Sequence, residues 1–305
     1  MNTRKSRPEL MFSLVLLLLL VVAAGAFFYG VKVGIDRTEA KQVNAPSQSA
    51  VTASSNAYQQ QDLVSFYHTV FLANREFQSE WFSIQHKWLV DPTSDRSASL
   101  KQLSKLATKK YEEIKGTYVS PASPLLVTAQ TEYMKSLKLF SNSFSSLAST
   151  ANDNSADAFL GKLDTNSYFN EARIHLLSAQ KTYYAAMLVW ASTIDSDTPS
   201  QYEVANPLPS STWSGLPLLI KNIVSADFLE SQALITEYTP QDLTARIDQF
   251  LLSGQADKRN LTSFQDVAEL LTGTEGVRVG DFLEMKARLY EGQQLPQLPF
   301  FFSDK

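Results

Sequence analysis

Residues 63–88 read LVSFYHTVFLANREFQSEWFSIQHKW, and this stretch decides the fold. Leu63, Phe66, Val70, Ala73, Phe77, Trp81, Ile84 and Trp88 recur at steps of three and four, which places them along one side of a helix of about 30 residues. The step from Phe77 to Trp81 breaks a strict heptad, because a straight 3.6-residue helix drifts against a 3.5-residue repeat. A bundle with aromatic core positions therefore fits better than a long coiled coil.

Toward the C-terminus, Asp91-Pro92 and the polar stretch to Ser97 end this helix. A second carries Leu100, Leu103, Ala107, Tyr111 and Ile114, with Gly116 placed for a left-handed cap. Ser123 as N-cap and Pro124 at the first position open a third, with Leu126, Tyr133, Leu137, Phe140, Phe144 and Leu147 at the same period. After Asn152-Asp153-Asn154, a fourth run holds Phe159, Leu163, Phe169, Ala172, Leu176, Ala179, Tyr183, Met187, Trp190 and Ile194. Residues 62–195 are thus expected to form an antiparallel four-helix bundle. Pro199, Pro207, Pro209 and Pro217 interrupt residues 196–217, a connector expected to separate the bundle from a smaller helical subdomain over 218–305. Within that subdomain helices are expected from Leu218 to about Glu237, from Pro240 (capped by Thr239) to Leu252, from Ser263 to Leu271 and from Val279 to Tyr290. An extended apolar tail runs from Leu295 to Phe302.

Toward the N-terminus, Leu10 to Val31 contains no charge. Its length of about 33 Å as a helix suffices to cross a hydrocarbon core of ~30 Å. The expected order is a short cytoplasmic tail (1–9), a transmembrane helix (10–31) and a flexible linker (32–61) rich in Ser, Ala, Gln and Asn. The alternative is secretion after signal-peptide cleavage near Ala26, since Arg4, Lys5 and Arg7 precede the apolar run and Ala24-Gly25-Ala26 are small. The run continues through Phe27-Phe28-Tyr29, which favours an anchor. Flanking cations concentrated before the span direct the C-terminal region outside the cytoplasm. The fold class is therefore all-α: a single N-terminal transmembrane helix, a tether, a four-helix bundle and a helical subdomain.

Composition limits the chemistry. The chain has 305 residues, no Cys, three His and a formal charge of −4. Without Cys there is no thiolate nucleophile, zinc ribbon or cysteine-bound cluster. Residues 1–41 hold six of the 27 Lys and Arg and three of the 31 Asp and Glu, leaving the remainder at 21 against 28, a net of −7. Phosphate backbones would repel such a surface, so no nucleic-acid partner is expected. His68 and His86 fall away from the apolar stripe, and Glu171 and His175 are four apart, the spacing of an ordinary solvated helix pair. Asp153/Asp157, Asp195/Asp197 and Asp281/Glu284 are locally paired carboxylates, for which helix capping is the simpler role. No nucleophile elbow, Walker A loop or dinucleotide fingerprint occurs, and no catalytic, metal or cofactor residue is assigned.

Most of the 18 Phe, 12 Tyr and 4 Trp lie on the helical stripes. Tyr202 and Trp213 in the connector and Phe300, Phe301 and Phe302 in the tail lie off them: connector and tail are expected either to pack back onto their own domain or to present these five as partner-binding residues. The expected function is a non-enzymatic docking or assembly module, held on the membrane of a bacterial envelope and meeting a protein partner there. The alternatives are a ligand-sensing bundle that signals through a membrane partner and a carboxylate-dependent envelope enzyme.

Overall fold

A computed structural model describes residues 58–302, and the expected membrane span at 10–31 and most of the linker lie outside them. The described chain is all-helical, with a single isolated bridge between Pro209 and Ser263 and no strand. No helix among the described residues is long and apolar enough to cross a membrane. Helix α1 comprises the α-helical segments Gln60–Phe66 and Leu72–Val90 joined by a π-helical turn, Tyr67–Phe71. It is followed by α2 (Arg96–Lys115), α3 (Pro124–Leu147), α4 (Ala156–Asp164) and α5 (Ser167–Ile194).

The long helices alternate in direction. Glu80 reaches Gln102 while Glu76 reaches Lys110; Ser104 meets Ser145 while Gln130 meets the carbonyl of Ile114. Ser143 bonds Asn166 while Ser136 bonds the carbonyl of Ala172, and Leu63 meets Tyr183 where Trp81 meets Phe169. α1, α2, α3 and α5 therefore form an up-and-down bundle. Every residue of the α1 stripe from Leu63 to Trp88 is buried. The axis is filled by interlocked rings: Phe77 with Phe140 at 5.2 Å, Trp81 with Phe144 at 5.2 Å, Phe140 with Phe169 at 5.4 Å and Trp88 with Phe159 at 5.8 Å. Such offset and edge-on pairs add about 0.5–1.5 kcal/mol each to their area burial.

Several boundaries differ from expectation. The linker, expected through residue 61, already ends at Tyr58, which is buried because its N–H donates to Ser123 Oγ and its hydroxyl accepts from the Leu125 N–H. The fourth run is two helices, since the Asn166 side chain caps α5 by accepting the Phe169 N–H at 3.0 Å. Gly116 is right-handed, with φ −76°, so it supplies no left-handed cap. Ile194, counted as core, is 46% exposed at the end of α5.

Beyond the bundle lie α6 (Ser210–Ser214), α7 (Leu218–Ser231), α8 (Pro240–Leu252), α9 (Gln255–Lys258), α10 (Phe264–Gly273) and α11 (Asp281–Leu289), then a 3₁₀ turn at Pro299–Phe301. α7 stops before the expected Glu237 because Ala233 is left-handed, with φ 48°, and the Leu234 N–H folds back onto the Leu229 carbonyl. α8 opens as read: Pro240 takes the first position, and the Thr239 N–H and hydroxyl both donate to Asp242 Oδ2. Lys181 on α5 bridges Asp227 and Glu230 on α7, laying the later helices against the bundle.

The Pro-rich connector lies inside one compact unit, residues 57–305. Its prolines prevent a long helix but not packing: Ser210 N–H bonds the Thr262 carbonyl and Phe264 N–H bonds the Leu208 carbonyl, fixing the connector to the start of α10.

Candidate functional site

α7 is apolar nearly all round, and a helix of that kind must be buried. Lys221 is the only cation in its run from Leu218 to Leu229 and is buried with it. Its ammonium lies 2.9 and 3.0 Å from the two carboxylate oxygens of Asp248 on α8. Asp248 Oδ1 also accepts the Trp213 indole N–H at 2.7 Å, and Oδ2 accepts the Tyr290 hydroxyl at 2.7 Å. The Lys221 ammonium sits 5.4 Å from the Trp213 ring centroid. Burial, and then the neighbouring Asp248 carboxylate, push the Tyr290 phenol far above its ordinary pKa, so it serves as a hydroxyl donor.

Lys221, Asp248 and Tyr290 form the floor of a groove of about 370 Å³, with Leu216, Leu218, Leu251, Leu252 and Leu289 as its apolar walls. A second groove of about 410 Å³ adjoins it, sharing Leu216 and Gln293, and runs past Gly215 and Gly292 to Leu188, Ala191 and Ile194. Leu252 is 74% exposed on the rim of the first groove, as Ile194 is on the rim of the second. Asp248 accepts four hydrogen bonds, so it has no free lone pair with which to act as a base. The arrangement offers apolar shape over a neutralised, fully bonded floor.

Of the two readings of the aromatic residues singled out in the sequence, the packed one describes where they lie. Trp213 is wholly buried, stacked on Phe264 at 4.6 Å, and reaches no partner surface. Phe301 is wholly buried against Phe282 at 5.5 Å. Phe300 is half-buried among Tyr67, Phe71 and Tyr184, and Phe302 is half-buried with Lys286 3.5 Å from its ring centroid. Tyr202 is half-buried and packs on the core. These five residues do not form an exposed patch, because tail and connector fold back onto the helices. The structure adds Lys221, Asp248 and Tyr290, of which only Lys221 carried a sequence signal: a lone cation inside an apolar run.

The other polar candidates also take structural places. His68 and His86 are exposed. His175 pairs with Glu132 on α3 instead of with Glu171, because the ring turns toward the neighbouring helix. Ser155, and not Asp153, caps α4. Asp195 accepts the Asp197 N–H and the Thr198 hydroxyl, while Asp281 is buried and accepts the Arg278 N–H at 2.8 Å. Among the described residues no three His, Asp or Glu converge in a way that could hold a metal ion. Comparison with protein-family models, curated proteins and solved structures finds no match to this chain.

Proposed function

We propose that this chain is a docking module of a bacterial cell envelope, anchored in the membrane through residues 10–31 and presenting its helical unit outside the cytoplasm to a protein partner. The observation that carries this reading is the pair of adjoining grooves rimmed by Leu252 and Ile194, two large apolar side chains left in solvent. Exposed apolar surface framed by polar residues such as Asp195, Thr198 and Gln293 is the usual signature of a protein contact. The rings filling the bundle axis favour recognition on the outside over a ligand held between helices. The second groove lies at the end of the bundle where α1 begins, the end joined by the preceding sequence.

A photo-crosslinking residue at position 252 or 194, introduced into the full chain in its own membranes, tests the reading. The expected result is the same discrete protein adduct from both positions, lost when the other rim residue becomes Asp. Val90, 65% exposed at the opposite end of the bundle, is the control position. Equal adducts from Val90, or none from either groove, would remove the groove from consideration.

A further inference from the structure

A third groove, of about 520 Å³, runs along α1 on the face that carries Arg75, Ser79 and Ser83 at steps of four, beside Gln78, Phe82 and His86. Glu237 and Val279 line its other side. Arg75 NH1 donates to Gln78 Oε1 at 2.8 Å and to the Thr236 carbonyl at 3.4 Å, and NH2 donates to the Glu237 carbonyl. These acceptors are all uncharged. No carboxylate among the described residues forms an ion pair with this guanidinium, although burial works against its charge and lowers its pKa. Asp242, the buried acid nearby, is occupied: Oδ2 accepts from Thr239 and Oδ1 accepts the Phe282 N–H at 3.1 Å. Glu237 is exposed and contributes its carbonyl. A half-buried guanidinium with five donors and three occupied thus faces a groove whose Ser79 and Ser83 hydroxyls make no hydrogen bond to another described residue.

We infer that this groove binds a small molecule carrying a carboxylate or a phosphate, its oxyanion on Arg75 and the Ser79 and Ser83 hydroxyls and its apolar body against Phe82 and Val279. A planar guanidinium and neighbouring hydroxyls match both oxyanions, and the ligand supplies the directly paired charge that Arg75, with Asp242 and Glu237 acting only at a distance, lacks among the described residues. Phe82 and the 65% exposed Val279 add apolar walls that inorganic phosphate alone would not use.

The test is calorimetric titration of the full-length protein in detergent with inorganic phosphate and, separately, with benzoate, at constant ionic strength. At least one probe is expected to saturate, and Ser79→Asp and Ser83→Asp should each weaken it by about tenfold or more while leaving the melting temperature unchanged. Both serines are exposed, so neither aspartate opens the core: Asp at 83 repels an oxyanion directly, and Asp at 79, one turn from Arg75, also competes for its guanidinium. Arg75→Gln should weaken binding as well. Binding of benzoate alone, lost in Val279→Asp, assigns an apolar carboxylate, whereas equal binding of phosphate assigns a general oxyanion site. Saturation by neither probe, or affinity unchanged in both aspartate variants, would overturn the inference and leave Arg75 as a tie for the 236–237 segment.

Discussion

Two residues of α7 show how burial and bonding decide the worth of a polar side chain. Asn222 is wholly buried, and neither its amide nitrogen nor its oxygen has a hydrogen-bond partner. Leaving such groups unmet costs about 1–3 kcal/mol, so an apolar side chain of similar volume should be better tolerated. Asn222→Leu is expected to raise the melting temperature by roughly 2–4 °C per kcal/mol recovered in a domain of this size; a lower melting temperature would show that the amide is bonded. Its neighbour Lys221 presents the opposite case. Lys221→Met strands the buried Asp248 carboxylate, a loss of about 3–5 kcal/mol. Adding Asp248→Asn removes the charge while keeping an acceptor for Trp213, so urea denaturation should find the double variant more stable than Lys221→Met alone. A double variant no better than the single would mean that the charge is not what matters. At this scale the sequence was readable only where a residue contradicted its surroundings. Lys221 is a lone cation in an apolar run, a signal the periodicity alone passes over, whereas Asp248 in Arg246-Ile247-Asp248-Gln249 looks like any amphipathic helix.

Among the elements, the apolar period located the helices because each long one turns an apolar stripe to the bundle axis, to which α5 adds a second buried face against α7, and it failed where the break is made by a side chain. Leu163 and Phe169 are six apart, a step that no helical stripe contains, and Asn166 between them is the cap of α5. The π turn at Tyr67–Phe71 left no such mark: it buries both Val70 and Phe71, yet steps of three and four continue through it. The pairing of α3 with α5 carries a pH prediction. Burial raises the Glu132 pKa, but hydrogen bonds from Lys135 and His175 outweigh it and hold the carboxyl below its ordinary 4.5. A depressed carboxylate adds stability that is present above its unfolded pKa and is lost as pH falls through the folded value. Wild type should therefore exceed Glu132→Gln in denaturation midpoint near pH 7, and the gap should narrow progressively as the pH is lowered below the ordinary 4.5. A gap that does not narrow as the pH falls below 4.5 would assign the difference to packing.

For the molecule as a whole, the tail decides whether bundle and later helices act as one body. An aromatic run in a Pro-containing segment has no period that reveals which face it buries, so the sequence leaves open whether Leu295 to Phe302 pack on their own domain or face a partner. In the fold, Leu295 and Leu298 are buried, Phe300 lies 5.5 Å from Tyr67 and 5.7 Å from Phe71 on α1, and Phe301 packs on Phe282 of α11. Lys286 adds a 2.8 Å hydrogen bond to the Phe301 carbonyl. The tail thus joins the first and last helices of the described chain. Burying Leu295, Leu298 and Phe301 at about 1.5–3 kcal/mol each amounts to a large share of a domain's usual 5–15 kcal/mol. Removing Leu295 to Lys305 should therefore collapse the cooperative unfolding transition and near-ultraviolet dichroism of the whole unit, including the Trp81 and Trp88 signals from the far end of the bundle. Phe300→Ala is the milder probe: it removes one half-buried ring from the junction with α1 and α5 and leaves Leu295, Leu298 and Phe301 in place, so it should lower the midpoint while keeping a single transition. If the truncated chain instead melts like wild type, the tail contributes nothing to the core. Its aromatic residues would then again be free for a partner, and the groove rimmed by Leu252 and Ile194 would lose its place as the favoured contact.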